Sequence, residues 1–375
     1  MDAQLNPTQV DVQRRARQIA REHLAPRAIA RDAAGEFPLD DLRRLADAGL
    51  MGVNINRELG GLQAGVVAYS LAVQAIAKAD PAVAVTMAVN NMVGEVLSYF
   101  GTPSQTSTLV PKMTSGEFSS GSFCLSEPGS GSDAAGMLTR ATRTTEGWRL
   151  SGTKAWITSG AYAGVFLVWA QTSVDGDDQG ISLFIVDSRL PGITVGQPED
   201  KMGQHASNTV SLAFDDVLIG PDALLGELGK GFRIAMMALD GGRIGIASQS
   251  IGIADGALEW ATKAGLDRSA RCADALEMMH ARVEAARQLT LRAAWLKESA
   301  STNFSRQASM AKLMASEVAN EVARQCVALV GPEAAAYDHP LAKLLRDARV
   351  TRIYEGTSEI QRVVIARDLI RHGVA

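Results

Sequence analysis

One carboxylate near the end of the chain, Glu355, is held at a joint between two helices. It lies in Arg352-Ile353-Tyr354-Glu355-Gly356-Thr357-Ser358-Glu359-Ile360-Gln361-Arg362. A helical pattern over Leu341 to Thr351 precedes this stretch, and another over Ile360 to Ile370 follows it. Between them Gly356 supplies permissive backbone, and Thr357 and Ser358 are N-capping residue types. Glu355 is thereby set at a joint between two helices, flanked by Ile353 and Tyr354. The unpaired N–H groups of the second helix favour an anion or a polar cofactor edge. The residues at the joint also accommodate a plain helix–turn–helix connection with a solvated Glu355.

Three further clusters carry chemistry-bearing side chains. Phe123-Cys124-Leu125-Ser126-Glu127-Pro128-Gly129-Ser130-Gly131-Ser132-Asp133 ends a strand with a loop whose backbone can approach a ligand closely and donate several hydrogen bonds. A Gly/Ser-rich surface loop is the alternative, and the glycine spacing does not match a dinucleotide fingerprint. Lys154-Ala155-Trp156-Ile157-Thr158-Ser159-Gly160 alternates an aromatic and a hydroxyl on one side of a strand. That arrangement suits a flat heteroaromatic ring, or places a tryptophan in the core. Asp240-Gly241-Gly242-Arg243 puts opposite charges three apart on one helix face. Its paired glycines cost roughly 1 kcal/mol each relative to alanine, which points to a close helix crossing or a ligand against the backbone. His23, His205, His280, His339 and His372 have no metal-ligand spacing, and neither a nucleophile elbow nor a phosphate-binding loop is present.

The elements that must position these residues follow from composition and periodicity. A chain of 375 residues exceeds one ordinary core and implies two or three domains. A net charge of −4 gives no reason to expect nucleic acid as a partner. The scattered Cys124, Cys272 and Cys326 fit a reducing compartment. The N-terminal stretch is charged and lacks a signal-peptide core, and the longest apolar run, Pro81 to Val89, is too short for a membrane span. A cytoplasmic protein is the expectation.

The first third reads as helices over Val12–Ala33, Leu39–Ala48 and Val66–Ala79, then one opened by Asp80-Pro81 and closed by Gly101. Between Glu117 and Pro221 short β-branched runs alternate with turn signals. Arg140–Thr145 and Trp148–Ser151 flank a Glu146-Gly147 hairpin signal, and Val165–Gln171, Ile181–Val186 and Val210–Val217 complete an antiparallel-type set. From Gly231 onward the chain reads as four long helices. In the second, Leu276, Met279, Val283, Ala286, Leu289, Ala293 and Leu296 keep one buried face. The expected fold is mainly α with a β insert: an N-terminal helical domain (1–117), a middle antiparallel β domain (118–222) and a C-terminal four-helix bundle (223–375).

In order and spacing these clusters resemble the acyl-CoA dehydrogenase family, above all its short-chain (butyryl-CoA) branch. Leu239-Asp240-Gly241-Gly242-Arg243-Ile244-Gly245-Ile246-Ala247-Ser248-Gln249 and the Ile353–Arg362 segment are similar to that branch almost letter for letter. The resemblance implies the same three-domain fold, FAD as cofactor, an oligomer (dimer or tetramer) and α,β-dehydrogenation of a short- or branched-chain acyl-CoA to its trans-2-enoyl product. It implies that Glu355 abstracts the α-proton while hydride passes to flavin N5, with an electron-transfer flavoprotein as acceptor. It further implies that Phe123, Leu125, Ser126, Ser132, Trp156, Ile157, Thr158, Arg268, Thr357, Ser358 and Glu359 hold the flavin cofactor. Ser132, Asp240, Arg243 and Gly356 would meet the acyl-CoA, and no metal is implied. Some relatives carry the base just before the long helix's arginine; Gly242 occupies that position.

Two segments depart from the family pattern. Arg268 matches the start of an Arg-x-x-Phe-Gly-x-x-Ile-x-x-x-Gln segment, but Ser269-Ala270-Arg271-Cys272-Ala273 follows and about two helical turns are missing. Where relatives have Gln-x-x-Gly-Gly-x-Gly, this chain has Ala328-Leu329-Val330-Gly331-Pro332-Glu333-Ala334. Pro332 lacks a backbone N–H, and Ala334 resists left-handed backbone. A lesser departure is His205, where Arg or Lys is common. In the family both large segments reach the flavin of a neighbouring subunit. The departures leave open a hetero-oligomer whose partner completes the FAD site, a weakly flavinated homo-oligomer, and an altered set of contacts with unchanged affinity. A flavin-poor, non-catalytic acyl-CoA-binding subunit is the alternative function, and an oxidase or a carrier-protein thioester substrate also remains open.

Overall fold

The computed structural model describes residues 4–265, 270–301 and 304–373. Its N-terminal helices are α1 (Pro7–Ile19), α2 (Ala28–Ala34), α3 (Leu39–Asp47), α4 (Val66–Ala79), α5 (Pro81–Phe100) and α6 (Pro103–Thr114). The expected single helix over Val12–Ala33 is broken. Pro26 cannot donate to the carbonyl four residues back, so the chain passes through a π turn (Ala20–Leu24) and a 3₁₀ turn (Ala25–Arg27) before α2. The buried α4 and α5 keep their expected ends, because the Asp80 side chain accepts from Ala82 N and Pro81 opens α5.

The middle sheet is built from β1 (Gly121–Cys124), β2 (Arg140–Thr144), β3 (Gly147–Thr158), β4 (Val165–Val174), β5 (Asp177–Asp187), β6 (Ile193–Val195) and β7 (Thr209–Ile219). It is mixed rather than antiparallel throughout, since β1 and β2 both pair parallel to β4. They lie end to end along one side of β4, Cys124 opposite Val168 and Arg140 opposite Gln171. The Gly/Ser-rich segment is the excursion that joins them. Local patterning shows strands but not this long-range pairing, which is why a parallel edge was not expected.

The C-terminal part has three long helices, α7 (Gly231–Lys263), α8 (Ala270–Glu298) and α9 (Phe304–Val330). The fourth helical stretch is divided into α10 (Pro340–Arg349) and α11 (Ser358–His372), with the Glu355 joint between them. Along α8, Leu276, Met279, Val283, Ala286 and Ala293 are buried as the periodicity predicts. Leu289 packs against the same core from a partly buried position.

One charged cluster fastens the N-terminal helices to α10. Arg31 reaches Asp80 at 2.5 Å and also pairs with Asp41, all three being buried. Lys343 lies 3.7 Å from Asp80 and 2.5 Å from Asp347. Removing one member leaves its partners charged and dry, which costs about 3–5 kcal/mol. Asp80→Ala is therefore expected to lower unfolding free energy by that amount in urea titrations. Asp80→Asn, which keeps an equivalent cap, is expected to lose distinctly less.

Candidate active site

Glu355 and Gly356 both adopt left-handed backbone, with φ of +55° and +89°. For a non-glycine residue this conformation costs of order 1–2 kcal/mol and persists where surrounding bonds hold it. Here the Gln361 amide donates to the carbonyls of Glu355 (3.0 Å) and Gly356 (2.9 Å), and Lys312 Nζ donates to Gly356 O at 2.7 Å. Thr357 caps α11, its hydroxyl accepting from Ile360 N. The joint is thus held from α9 and α11 together.

The residue as a whole is half-buried, but its Oε2 is enclosed and has no hydrogen-bond partner. That oxygen lies against Gly242 of α7, where a methyl group would fall within contact range of the carboxylate. Burial pushes the Glu355 carboxyl up to about 7, while the charges of Arg243 and Lys312 pull against that rise. The ammonium of Lys312 is driven down to about 8, first by its own burial. Tyr354 beside Glu355 is anchored through its hydroxyl to Gln249 and accepts from Gln204 at 3.3 Å.

Phe123 and Leu125 at the end of β1 share one apolar cluster with Leu239 and Ile246 of α7 and with Tyr354. This cluster brings the strand-end loop and α7 to the Glu355 joint. The loop is tied at its neck by Glu127, whose carboxylate accepts from Leu138 N (2.6 Å), Thr139 N (3.0 Å) and Lys154 Nζ (2.8 Å). These bonds hold the Glu127 carboxyl below its ordinary range against the opposing effect of burial. Ser126 lies half-buried and its carbonyl accepts from Ala155 N, whereas Ser132 is exposed at the loop's far side.

Trp156 does not alternate with Thr158 along a regular strand. A bulge between Lys154 and Ile157 gives Trp156 a φ of +57° and turns its indole out of the sheet, 53% exposed. It is therefore not a core tryptophan, and a side chain at Gly131 of the loop would approach its ring. Thr158 is half-buried at the strand end, while Ile157 points into the sheet's own core at 1% exposed. The Ile157 side chain is thus not on the face that Trp156 occupies.

Asp240 and Arg243 form the expected ion pair, but it faces inward. Arg243 is buried and donates to Ser309 at 3.2 Å, and Asp240 accepts from Ser305 at 2.9 Å. Ser358 is buried and donates to Glu317 at 3.0 Å, whereas Glu359 is exposed in the first turn of α11. Arg268 lies outside the described residues. Sequence reasoning missed Lys312 and Gln361. Their signal was a lysine among Ala308, Ala311 and Ala315 on the buried face of α9, and a glutamine on the inner side of α11.

Family models match the whole course of the chain: the acyl-CoA dehydrogenase N-terminal domain at residues 6–117, the middle domain at 122–217 and the C-terminal domain at 229–370. The chain belongs to the acyl-CoA dehydrogenase family and is an oxidoreductase of that class. It is 42% identical over 366 residues to a short-chain specific acyl-CoA dehydrogenase of Bos taurus mitochondria, covering 95% of this chain and 88% of that protein. The butyryl-CoA dehydrogenase structure from Megasphaera elsdenii superposes with a TM-score of 0.94 at 36% identity, covering 99% of this chain and 100% of that one. A glutaryl-CoA dehydrogenase from Mycobacterium smegmatis, solved with FADH2, matches at TM-score 0.92 and 26% identity over 99% of this chain and 96% of that one.

The raised Glu355 carboxyl has a consequence for stability. Its folded-state value lies above the ordinary 4.5, so ionisation is harder in the folded state. The contribution is full below pH 4.5 and is lost as pH rises through about 7. Glu355→Gln cannot ionise, so it is expected to gain on the wild type by up to roughly 1.4 kcal/mol per pH unit across that window. Urea midpoints of both proteins from pH 4.5 to 8 check this. A difference that does not vary with pH would count against burial as the cause.

Proposed function

We propose that this protein is an FAD-dependent dehydrogenase of short- or branched-chain acyl-CoA thioesters, with Glu355 as the base that removes the α-proton. The observation that carries the reading is the Glu355 carboxylate, enclosed against Gly242 and raised towards neutrality by burial. A carboxylate so placed is ionised in good part near pH 7 yet more basic than one in water, which suits removal of a weakly acidic C–H proton. The short-chain and butyryl-CoA relatives support the substrate class.

The residues present fit a flavin. An exposed indole on a strand bulge, a hydroxyl at Thr158 and a glycine-bearing loop beside them form a flat, hydrogen-bonding cradle. Trp156, Thr158 and Ser126 would hold the ring system, and Thr357 and Glu359 at the start of α11 would meet its polar chain. FAD, when bound, supplies the two-electron acceptor for the hydride lost from the β-carbon. The chain's own part is to seat the thioester beside Glu355, exclude water with Tyr354 and Leu239, and take the α-proton. An electron-transfer flavoprotein is the proposed acceptor from the reduced enzyme.

Anaerobic mixing with a panel of acyl-CoAs while following flavin absorbance tests this reading. Short-chain thioesters are expected to bleach the flavin. Glu355→Gln should keep flavin and ligand binding while reduction slows about 10²–10⁴-fold. Reduction at the wild-type rate in that variant would place the base elsewhere.

One observation favours a variant of this reading, in which a partner subunit completes the flavin site. After Gly331, whose φ is +116°, Pro332 opens a 3₁₀ turn (Pro332–Ala335), and Ala334 is wholly buried. Pro332 offers no N–H to a neighbour's cofactor. The protein purified alone is expected to carry less than one flavin per chain and to fill on mixing with a related subunit. A homo-oligomer already holding one FAD per chain would remove the need for such a partner.

A further inference from the structure

The Lys312 side chain is 0% exposed, and among the described residues its ammonium makes no ion pair. A buried cation without a carboxylate partner is costly, and an apolar residue of like shape would generally serve the fold as well or better. The one hydrogen bond that Lys312 Nζ makes goes to the Gly356 carbonyl at 2.7 Å, on the left-handed joint that carries Glu355.

We propose that Lys312 is the positioning residue of this site: it pins the Glu355–Gly356 joint through the Gly356 carbonyl, and its charge sets the pH range over which Glu355 is ionised.

Two cations lower the Glu355 carboxyl against burial, Arg243 the more strongly and Lys312 after it. Arg243 on α7 also acts on Glu355, but it is paired with Asp240, which offsets its charge. Glu317 on α9 is engaged by Arg352 at 3.0 Å and by Ser358. Glu359 on α11 is exposed, so solvent screens it. Tyr69 on α4 and Tyr354 beside the base are phenols held neutral by burial. Lys312 is the one of the two without an ion-pair partner among the described residues, and with Arg243 it lowers what burial has raised. Gln361 duplicates its grip on the Gly356 carbonyl but brings no charge.

The inference rests on Glu355 being the base, and its test separates the two. Lys312→Met fills the same volume without charge, and Lys312→Arg keeps the charge and the donors. The Glu355 carboxyl is titrated in each holoenzyme by infrared difference spectroscopy, with its band identified by loss in Glu355→Gln. The acid limb of kcat/KM is measured alongside. Lys312→Met is expected to move the midpoint and the acid limb up together by about one unit or more. At a pH below both limbs this is a loss of about tenfold or more. Lys312→Arg is expected to hold both near the wild-type position. A Lys312→Met enzyme with weaker turnover or a lower Tm but an unmoved midpoint would make Lys312 structural only and overturn the proposal. Should Lys312→Met fail to fold, Lys312→Gln carries the same test, being equally uncharged. If Glu355→Gln itself still reduces flavin normally, the base assignment fails instead, and the infrared midpoint still reports whether Lys312 tunes this carboxyl.

Discussion

A carboxylate enclosed in a helical bundle needs room and counter-charge, and much of the C-terminal part is arranged to supply both. The room comes from α7. Three of its glycines each face the polar tip of a side chain from another element: Gly241 meets Lys297, Gly242 meets Glu355, and Gly245 meets the Tyr69 hydroxyl. Each glycine weakens the helix by roughly 1 kcal/mol relative to alanine, and at 33 residues α7 is long enough to bear that. Any larger residue at 242 would compete with the carboxylate for one volume. A side chain at 242 and the Glu355 carboxylate therefore exclude each other sterically in this chain.

Orientation of the joint depends on a polar network that crosses all three parts of the chain. The Asp80–Lys343–Asp347 group lies at the contact of α5 and α10. Asp347 accepts from Gln204 N at 2.5 Å, and the Gln204 amide reaches both the Asp347 carbonyl and the Tyr354 hydroxyl. Gln249 closes the circuit, donating to Pro81 O at 2.7 Å and accepting from Tyr354. Buried networks of this kind are costly when any member is missing and specify one geometry when complete. Tyr354, next to Glu355, is thereby referenced to the N-terminal helices, the loop before β7 and the long helix at once. His205 adds a bond from that same loop to Asp32, which Arg346 of α10 also meets.

Helix ends and apolar faces were legible in the sequence because their causes are local. Asp80-Pro81 capped α5 as expected, and five of the seven periodic residues of α8 are buried, Leu289 and Leu296 being partly so. What escaped was set by distant residues. The parallel pairing of β1 and β2 with β4 depends on partners 44 and 31 residues away, and nothing in Arg140–Thr144 announces it. The bulge at Trp156 has no glycine to mark it; it accompanies the burial of Lys154 against Glu127, an ion pair 27 residues apart. The Glu355 joint was readable from Gly356 and Thr357, whereas its grip by Lys312 was not, because that contact spans 44 residues. Lys312 stood out only as a charge where α9 should be apolar.

Two breaks in regular backbone lie at the candidate site. Trp156 and Glu355 are both non-glycine residues with positive φ; Ala155 beside the first donates to Ser126 O, and the carbonyl of the second accepts from Gln361 of α11. The break between β1 and β2 along β4 releases the 125–139 loop beside one of them, and the divided fourth helix creates the other. Regular strands and helices would bury an indole and solvate a carboxylate; breaking the pattern once in each element does the opposite. The result is one exposed aromatic face, at Trp156, and one enclosed carboxylate oxygen, at Glu355. Strain at such positions is sustained only if neighbouring contacts over-determine it. The Glu127–Lys154 tie and the Lys312–Gln361 grip play that part on the two sides of the site.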